Sequence, residues 1–119
     1  MANKNDLDFT YTTIDEIFRL SIGEMGDYSG ARFGGDFSMT IEQAQEAKHK
    51  FISDSLNIKE GSRVLDMACG WGPFLNYIKK NRKANGMGVT LSSGQAAADV
   101  KNGLDVKVMD CRDIKADTF

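Results

Sequence analysis

The stretch that decides the fold is Val64-Leu65-Asp66-Met67-Ala68-Cys69-Gly70-Trp71-Gly72-Pro73. Its first residues are typical of a buried strand, its alternate glycines of a tight loop, and its proline of the first turn of a helix. Glycine lets a ligand approach the backbone, and the start of a helix supplies free N–H groups and a partial positive charge. The stretch therefore predicts a site for a nucleotide-like ligand at the carboxyl edge of a parallel sheet.

Strands and helices alternate in the second half of the chain. The patterns predict strands over 62–67, 86–91 and 105–109, separated by helices over 73–82 and 92–102. Ser92 or Ser93 caps the second of these helices, and Gly103 follows its end. This β-α-β-α-β order is half of a doubly wound parallel sheet, so the predicted fold class is α/β and Rossmann-like. Because three strands leave a sheet edge open, we expect a domain truncated at Phe119 that can pair this edge with a second copy or another chain.

The first 60 residues predict a helical cap segment, so the expected domain boundary separates 1–60 from the first half of a ligand-binding domain at 61–119. Residues 1–11 are polar, as is typical of a loose terminus. Thr12 or Thr13 can cap a short helix. The expected apolar face of that helix carries Ile14, Ile17, Phe18 and Leu20.

A second helix is predicted after a glycine-rich loop over 23–35. Thr40 and Gln43 have the spacing of a capping box, and the helix should run to about residue 56. The positions with helical spacing of apolar residues are Ile41, Ala44, Ala47, Phe51 and Ile52. His49 lies between two lysines on this helix and is expected to be solvated.

The composition excludes several classes of function. A formal net charge of -2 gives no electrostatic basis for nucleic-acid binding. No apolar run approaches the roughly 20 residues of a membrane span, and we expect no signal peptide. Cys69 and Cys111 make no disulfide framework, so a reducing, cytoplasmic compartment is expected. No zinc-like spacing is present, and we expect no metal site.

The glycine loop does not suit a nicotinamide dinucleotide. That ligand requires G-x-G-x-x-G and an acidic residue near the end of the next strand. Here Leu75 stands where the third glycine belongs, and the second strand ends at Val89-Thr90-Leu91. The phosphate loop of nucleotide hydrolases requires Gly-Lys-Ser or Gly-Lys-Thr, which the chain lacks.

A hydrophobic strand that ends in Asp66 and continues into two alternate glycines resembles motif I of class I S-adenosylmethionine-dependent methyltransferases. Three further segments occur in the order of one family of that class: Tyr28-Ser29-Gly30, Met39 to Gln45 and Thr90 to Gln95. From about Asp27 onwards the chain resembles the cyclopropane-fatty-acid synthase and mycolic acid cyclopropane synthase family. The resemblance implies S-adenosylmethionine as cosubstrate and in-line transfer of its methyl group to a lipid or another hydrophobic small molecule.

The resemblance also implies three groups of contacts with the methyl donor. A segment that closes over the donor carries Tyr28 and Ser29. The residues that line its methionine side are Asp66, Ala68, Gly70 and Gly72. Those near the ribose and adenine are Thr90, Leu91 and Gln95, followed after the third strand by Asp110, Cys111 and Arg112. No residue of the chain is nominated as catalytic.

Several of these side chains also suit a purely structural role. Tyr28 suits an anchor for its loop, and Trp71 a packing residue. Cys69 is interpreted as a small buried side chain rather than a nucleophile. Asp110 suits the end of a strand and the cap of a turn. Without its place after Thr-Leu-Ser, Gln95 would be an exposed helix residue.

Two positions depart from the family pattern. Ala68 stands where the family usually has glycine. Gly30 stands where a family cysteine contributes to a bicarbonate site that removes a proton during cyclopropane formation. Simpler methyl transfer to carbon, nitrogen or oxygen is therefore an alternative, as is a non-catalytic module that binds the donor or a related nucleoside. Peripheral contact with a membrane is compatible with a lipid acceptor.

Overall fold

The computed structural model describes residues 3–22 and 26–117 and confirms the α/β fold class. The helices are α1 Lys4–Ile22, α2 Ile41–Ser55, α3 Pro73–Arg82 and α4 Ser93–Lys101. The strands are β1 Arg63–Met67, β2 Asn85–Thr90 and β3 Asp105–Val108, followed by a short 3-10 turn at Cys111–Asp113. From residue 62 onwards, every predicted helix and strand is present with each end within one residue of its expected position.

The sheet has the order β1-β2-β3, and both strand pairs are parallel. In the register, Leu65 lies opposite Met87, and Met87 lies opposite Asp105. The central strand β2 is buried from Met87 to Thr90 because it has a neighbour on each side. The main core cluster packs between this sheet and its helices and contains Ile58, Cys69, Leu75, Ile78, Ala84, Ala96, Leu104 and Val106.

The first helix is longer than predicted. A loose terminus over residues 1–11 is wrong for the described part, because α1 begins at Lys4; residues 1 and 2 lie outside the described residues. Thr12 and Thr13 are interior to this helix, and its start is held by Asn3 Oδ1, which accepts a hydrogen bond from the Asp6 N–H at 2.9 Å. Of the predicted loop over 23–35, residues 23–25 are also outside the described residues.

The expected apolar face of α1 is also only half correct. Ile17 is 65% exposed and Leu20 is 84% exposed, whereas Ile14 and Phe18 are partly buried. The side of the helix that turns towards the rest of the protein carries Leu7, Tyr11, Ile14 and Phe18 at helical spacing. The packing face therefore continues one and a half turns upstream of the predicted start.

The predicted capping box of α2 is confirmed. Thr40 Oγ1 accepts a hydrogen bond from the Gln43 N–H at 3.2 Å, and Gln43 Oε1 accepts one from the Thr40 N–H at 2.9 Å. The predicted apolar face of this helix is less buried than expected, since Ile41 and Phe51 are about half exposed. Ala44, in contrast, is fully buried.

The expectation that His49 is solvated is wrong. His49 is 7% exposed, and its ring packs against the rings of Phe74 and Tyr77, with centroids 5.7 and 5.6 Å away. Its Nε2 lies 2.7 Å from Asp27 Oδ2. The polar partner comes from a loop 22 residues earlier in the chain, so the pattern of α2 alone could not indicate burial.

Asp99 is a buried carboxyl group on α4. It is fully buried, and neither of its oxygens has a hydrogen-bond partner among the described residues. Burial, together with the nearby charges of Asp15 and Asp66, raises the pKa of Asp99 to about 7, although the charge of Arg19 opposes this rise. The folded protein therefore holds a proton on Asp99 at pH values where the unfolded chain releases it.

We expect Asp99→Asn to stabilise the protein at neutral and higher pH. Because the folded pKa lies above the unfolded value, Asp99 lowers the free energy of unfolding progressively as pH rises from about 4 to about 7. The variant should gain about 2–4 kcal/mol at pH 8 and much less at pH 4.5, as measured by urea denaturation. An equal gain for Asp99→Asn at pH 8 and pH 4.5 would contradict the prediction, because the gain should follow the ionisation of Asp99.

Candidate donor-binding site

A cavity of about 450 Å³ opens at the carboxyl edge of the sheet. Its walls come from four segments that are distant in sequence: α1, the loop before α2, the glycine loop after β1 and the start of α4 after β2. Seven of the residues predicted from the sequence border it: Tyr28, Ser29, Ala68, Gly70, Thr90, Leu91 and Gln95. The position agrees with the rule that ligands bind outside the carboxyl ends of parallel strands.

The other five predicted residues do not border this cavity: Asp66, Gly72, Asp110, Cys111 and Arg112. Asp66 is partly buried in β1, and burial raises its pKa. The Asp110 carboxylate accepts a hydrogen bond from the Arg112 N–H at 2.9 Å and others from its side chain, and these hold the pKa of Asp110 at about 2. Asp110 thus caps the 3-10 turn, in agreement with its structural alternative.

The glycine loop makes its turn through residues in the left-handed region of the backbone. Ala68, Gly70 and Gly72 have φ values of 64°, 61° and 66°. A side chain added at Gly70 would meet nothing within 4 Å, whereas one added at Gly72 would lie 2.5 Å from Leu104 Cδ1. Gly70 therefore leaves backbone open towards the cavity, and Gly72 allows the loop to pack closely against the chain leading into β3.

The side chains of Cys69 and Trp71 in this loop are buried. Cys69 is 6% exposed, and burial together with the charges of Asp99 and Asp66 raises the pKa of its thiol to about 12. A thiol with that pKa is not a nucleophile at neutral pH, which supports its interpretation as a packing residue. Trp71 is 2% exposed, as the packing interpretation predicts, although it also forms part of the cavity wall.

An aromatic cluster joins α1 to the glycine loop. The ring of Tyr28 lies 5.1 Å from Trp71 and 4.5 Å from Phe18, measured between centroids. The Trp71 indole N–H donates a hydrogen bond to the Asp15 carboxylate on α1. Tyr11 also contacts Trp71 and, with Leu7, borders the cavity.

Sequence reasoning missed this contribution of α1 to the site. The available signal was the spacing of Leu7, Tyr11, Ile14 and Phe18, which continues one helical face through the segment interpreted as a loose terminus.

Gln95 is buried at the start of α4, which excludes the alternative of an exposed helix residue. Its side chain is held by Thr90, whose hydroxyl donates a hydrogen bond to Gln95 Oε1 at 2.7 Å. Ser92 caps the helix by accepting a hydrogen bond from the Gln95 N–H at 3.2 Å. Within the part of the chain that the structure describes, no acceptor is paired with Gln95 Nε2, which leaves this N–H group for a ligand.

The described residues, 3–22 and 26–117, lack two features. They contain no group of three or more His, Cys, Asp or Glu side chains arranged to hold a metal ion. None of their helices combines the length and apolar character needed to cross a membrane.

The parallel half-sheet, the glycine loop and the cavity at its carboxyl edge define a class I methyltransferase fold. Residues 2–119 match the family model described as mycolic acid cyclopropane synthetase. The chain belongs to this family.

Proteins and structures similar to this chain include three cyclopropane synthases. Cyclopropane mycolic acid synthase 2 of Mycobacterium bovis is 38% identical over 89 residues, 75% of this chain and 29% of that protein. Cyclopropane-fatty-acyl-phospholipid synthase of Escherichia coli is 42% identical over 78 residues, 62% of this chain and 20% of that protein. Mycolic acid cyclopropane synthase CmaA1, solved with SAH and CTAB, matches 96% of this chain and 42% of its own with a TM-score of 0.83 and 27% identity. This chain therefore spans less than half the length of each.

We expect Ala68→Gly to stabilise the protein by about 0.5–1 kcal/mol. Alanine is strained at the observed φ of 64°, and the relief outweighs the greater freedom of glycine in the unfolded chain. The control is Ala97→Gly at an exposed position of α4, which should destabilise by about 1 kcal/mol. Urea denaturation of both variants measures the two effects, and destabilisation by Ala68→Gly would contradict the assigned backbone conformation.

Proposed function

We propose that this chain binds S-adenosylmethionine in the cavity and forms the donor-binding part of a methyltransferase that acts on a lipid or another hydrophobic acceptor. The observation that carries the proposal is the meeting of Tyr28, the glycine loop and Gln95 around one cavity. Its volume of about 450 Å³ lies within the usual range for small-molecule sites.

The residues present fit such a donor. The open backbone at Gly70 suits close approach of the methionine portion, to which Asp66 offers a carboxylate from the neighbouring strand end. Gln95 Nε2, oriented by the hydrogen bond from Thr90, suits a ribose hydroxyl. Tyr28 and Ser29 contribute another part of the cavity wall. Asp110, Cys111 and Arg112 stay proposed adenine contacts although they lie outside the cavity lining.

The chemistry that the bound donor supplies is an electrophilic methyl group on its sulfonium. The part of this chain is to hold the donor in one orientation, because methyl transfer depends mainly on alignment with the acceptor. The buried ring of Trp71, which lines the cavity, restricts water on that side. We assign no catalytic base to the described residues.

The proposed acceptor follows from the relatives, which are named as cyclopropane synthases of mycolic acids and fatty-acyl phospholipids. We propose a lipid acceptor, with methyl transfer as the reaction and cyclopropane formation as the alternative, because Gly30 offers no side chain to a base site.

We place the protein in the cytoplasm, with peripheral contact at a membrane, since Cys69 and Cys111 are free thiols and α1 exposes Phe9, Ile17 and Leu20.

The exposed sheet edges at Met67 and Val108 support self-association, and light scattering that finds only a monomer would contradict this. We also propose the division into segments 1–60 and 61–119.

Calorimetric titration with S-adenosylhomocysteine tests the donor site, with NADH as control. We expect binding of the first ligand only; binding of NADH alone would overturn the proposal, and so would binding of neither. If a chain as long as its relatives binds the donor product but methylates no lipid, a non-catalytic binding module is favoured.

We expect Gln95→Met to weaken binding of S-adenosylhomocysteine about tenfold, because it removes the amide that faces the ribose while keeping the size of the side chain. Thr90→Val should weaken binding about twofold to fivefold, because it removes the hydroxyl that orients the amide. Thr13→Val makes the same change at an exposed position of α1 and should leave the affinity unchanged. Equal affinities for all three variants would remove Gln95 from the site.

A further inference from the structure

One face of α2 is joined to the loop at residues 27–29 by polar side chains. Gln45, Lys48 and His49 have the i, i+3, i+4 spacing that places side chains on the same side of a helix. None of the three borders the donor cavity. They form a contiguous surface that we call the α2 clamp.

Each member of the α2 clamp reaches the loop directly. Gln45 Nε2 donates hydrogen bonds to the main-chain oxygens of Asp27 and Ser29, at 3.2 and 2.8 Å. Lys48 Nζ donates to Asp27 Oδ1 at 2.8 Å and to Ser29 Oγ at 2.6 Å. His49 Nε2 lies 2.7 Å from Asp27 Oδ2, and since a carboxylate can only accept, the imidazole donates.

Asp27 is the centre of this arrangement. Burial disfavours its charge, but hydrogen bonds from His49, Lys48 and Ser29 prevail and lower the pKa of Asp27 to about 2. The carboxylate is therefore ionised throughout the physiological range. Both of its oxygens accept hydrogen bonds from side chains of α2. Hydrogen bonds to a charged group are among the strongest that side chains make.

The loop depends on these side chains because it belongs to no helix or strand. With other described residues, the backbone of 27–29 makes no main-chain to main-chain hydrogen bond. The same loop contributes Asp27, Tyr28 and Ser29 to the cavity wall, and it places the Tyr28 ring against Trp71. Whatever fixes this loop also fixes that wall.

We infer that Gln45, Lys48 and His49 are positioning residues, which hold the loop at Asp27–Ser29 in the conformation that binds the donor. This inference rests on the proposed donor site. The clamp sets donor affinity without touching the donor, because a loop already fixed before binding loses less conformational entropy when the ligand arrives.

The matched pair Gln45→Glu and Gln43→Glu tests this role. Both changes keep the side-chain shape and add one negative charge to the same helix. Gln45→Glu replaces the donor group with a carboxylate that faces two main-chain oxygens, whereas Gln43→Glu keeps the oxygen that the capping box needs. Calorimetry should show about tenfold weaker binding of S-adenosylhomocysteine for Gln45→Glu and an unchanged affinity for Gln43→Glu.

A lysine series provides a second test that does not depend on the folding of Gln45→Glu. Lys48→Met should weaken binding of S-adenosylhomocysteine about fivefold to tenfold. Lys48→Arg should keep the affinity within about twofold of that of the unaltered chain, because arginine keeps a cationic donor. Lys50→Met is the control, since Lys50 is largely exposed and pairs with Asp54. Fluorescence of Trp71, the single tryptophan, should shift in the unliganded Lys48→Met protein, because the loop presses Tyr28 against that ring.

Two results overturn the inference in distinguishable ways. If the unaltered chain binds S-adenosylhomocysteine and both matched pairs bind it equally, the clamp has no positioning role while the donor site stands. If the unaltered chain binds no S-adenosylhomocysteine, the donor site fails and the positioning role fails with it.

Discussion

The structure depends on the turn that the backbone makes between β1 and α3. Within five residues, 68–72, the chain must leave the sheet, reverse and start a helix, and it does so through left-handed conformations at Ala68, Gly70 and Gly72. The turn is fixed to the central strand by a hydrogen bond from the Cys69 N–H to the Val89 main-chain oxygen at 3.0 Å. This one constraint places open backbone at the sheet edge and buries Trp71 beneath α1.

Side chains at the cavity are held by partners that take no part in lining it. Asp15 accepts the hydrogen bond of the Trp71 indole from α1, and the α2 clamp holds the loop that carries Tyr28. Thr90 differs, because it lines the cavity and orients Gln95 as well. Different parts of the cavity wall are therefore held by hydrogen bonds from different elements, namely α1, α2 and the end of β2. No single one of these elements holds the whole site.

The sheet half of the fold could be predicted because its signals are local. Strand patterns, Pro73 at a helix start, Ser92 as a cap and Gly103 after a helix all act within a few residues of where they stand. The same holds for Gly70, which follows from its place in the loop after a strand end. Gln95, in contrast, is indicated by the family resemblance and not by the order of elements.

The N-terminal helices could not be placed in this way, because long-range polar contacts decide their packing. Ser93 Oγ donates a hydrogen bond to the Asp8 carboxylate at 2.8 Å, across 85 residues of sequence. His49 can be buried because it pairs with Asp27, and the helical pattern of α2 does not reveal this partner. The motif predicts Asp66 and Gly72 as ligand contacts, but residues of such a motif can also serve the packing of the loop. In this structure Gly72 packs against Leu104.

The attachment of α1 has a consequence for how a ligand could enter. Two carboxylates of α1 join the helix to the sheet domain: Asp8 binds Ser93 at the start of α4, and Asp15 binds Trp71. The side chains of Phe9, Ile17 and Leu20, in contrast, are exposed and contribute little apolar burial. Elements with few buried apolar contacts open locally at lower free energy than a core strand does. Local opening of α1 would therefore remove Leu7 and Tyr11 from the cavity wall and admit a ligand there, while the parallel sheet stays folded.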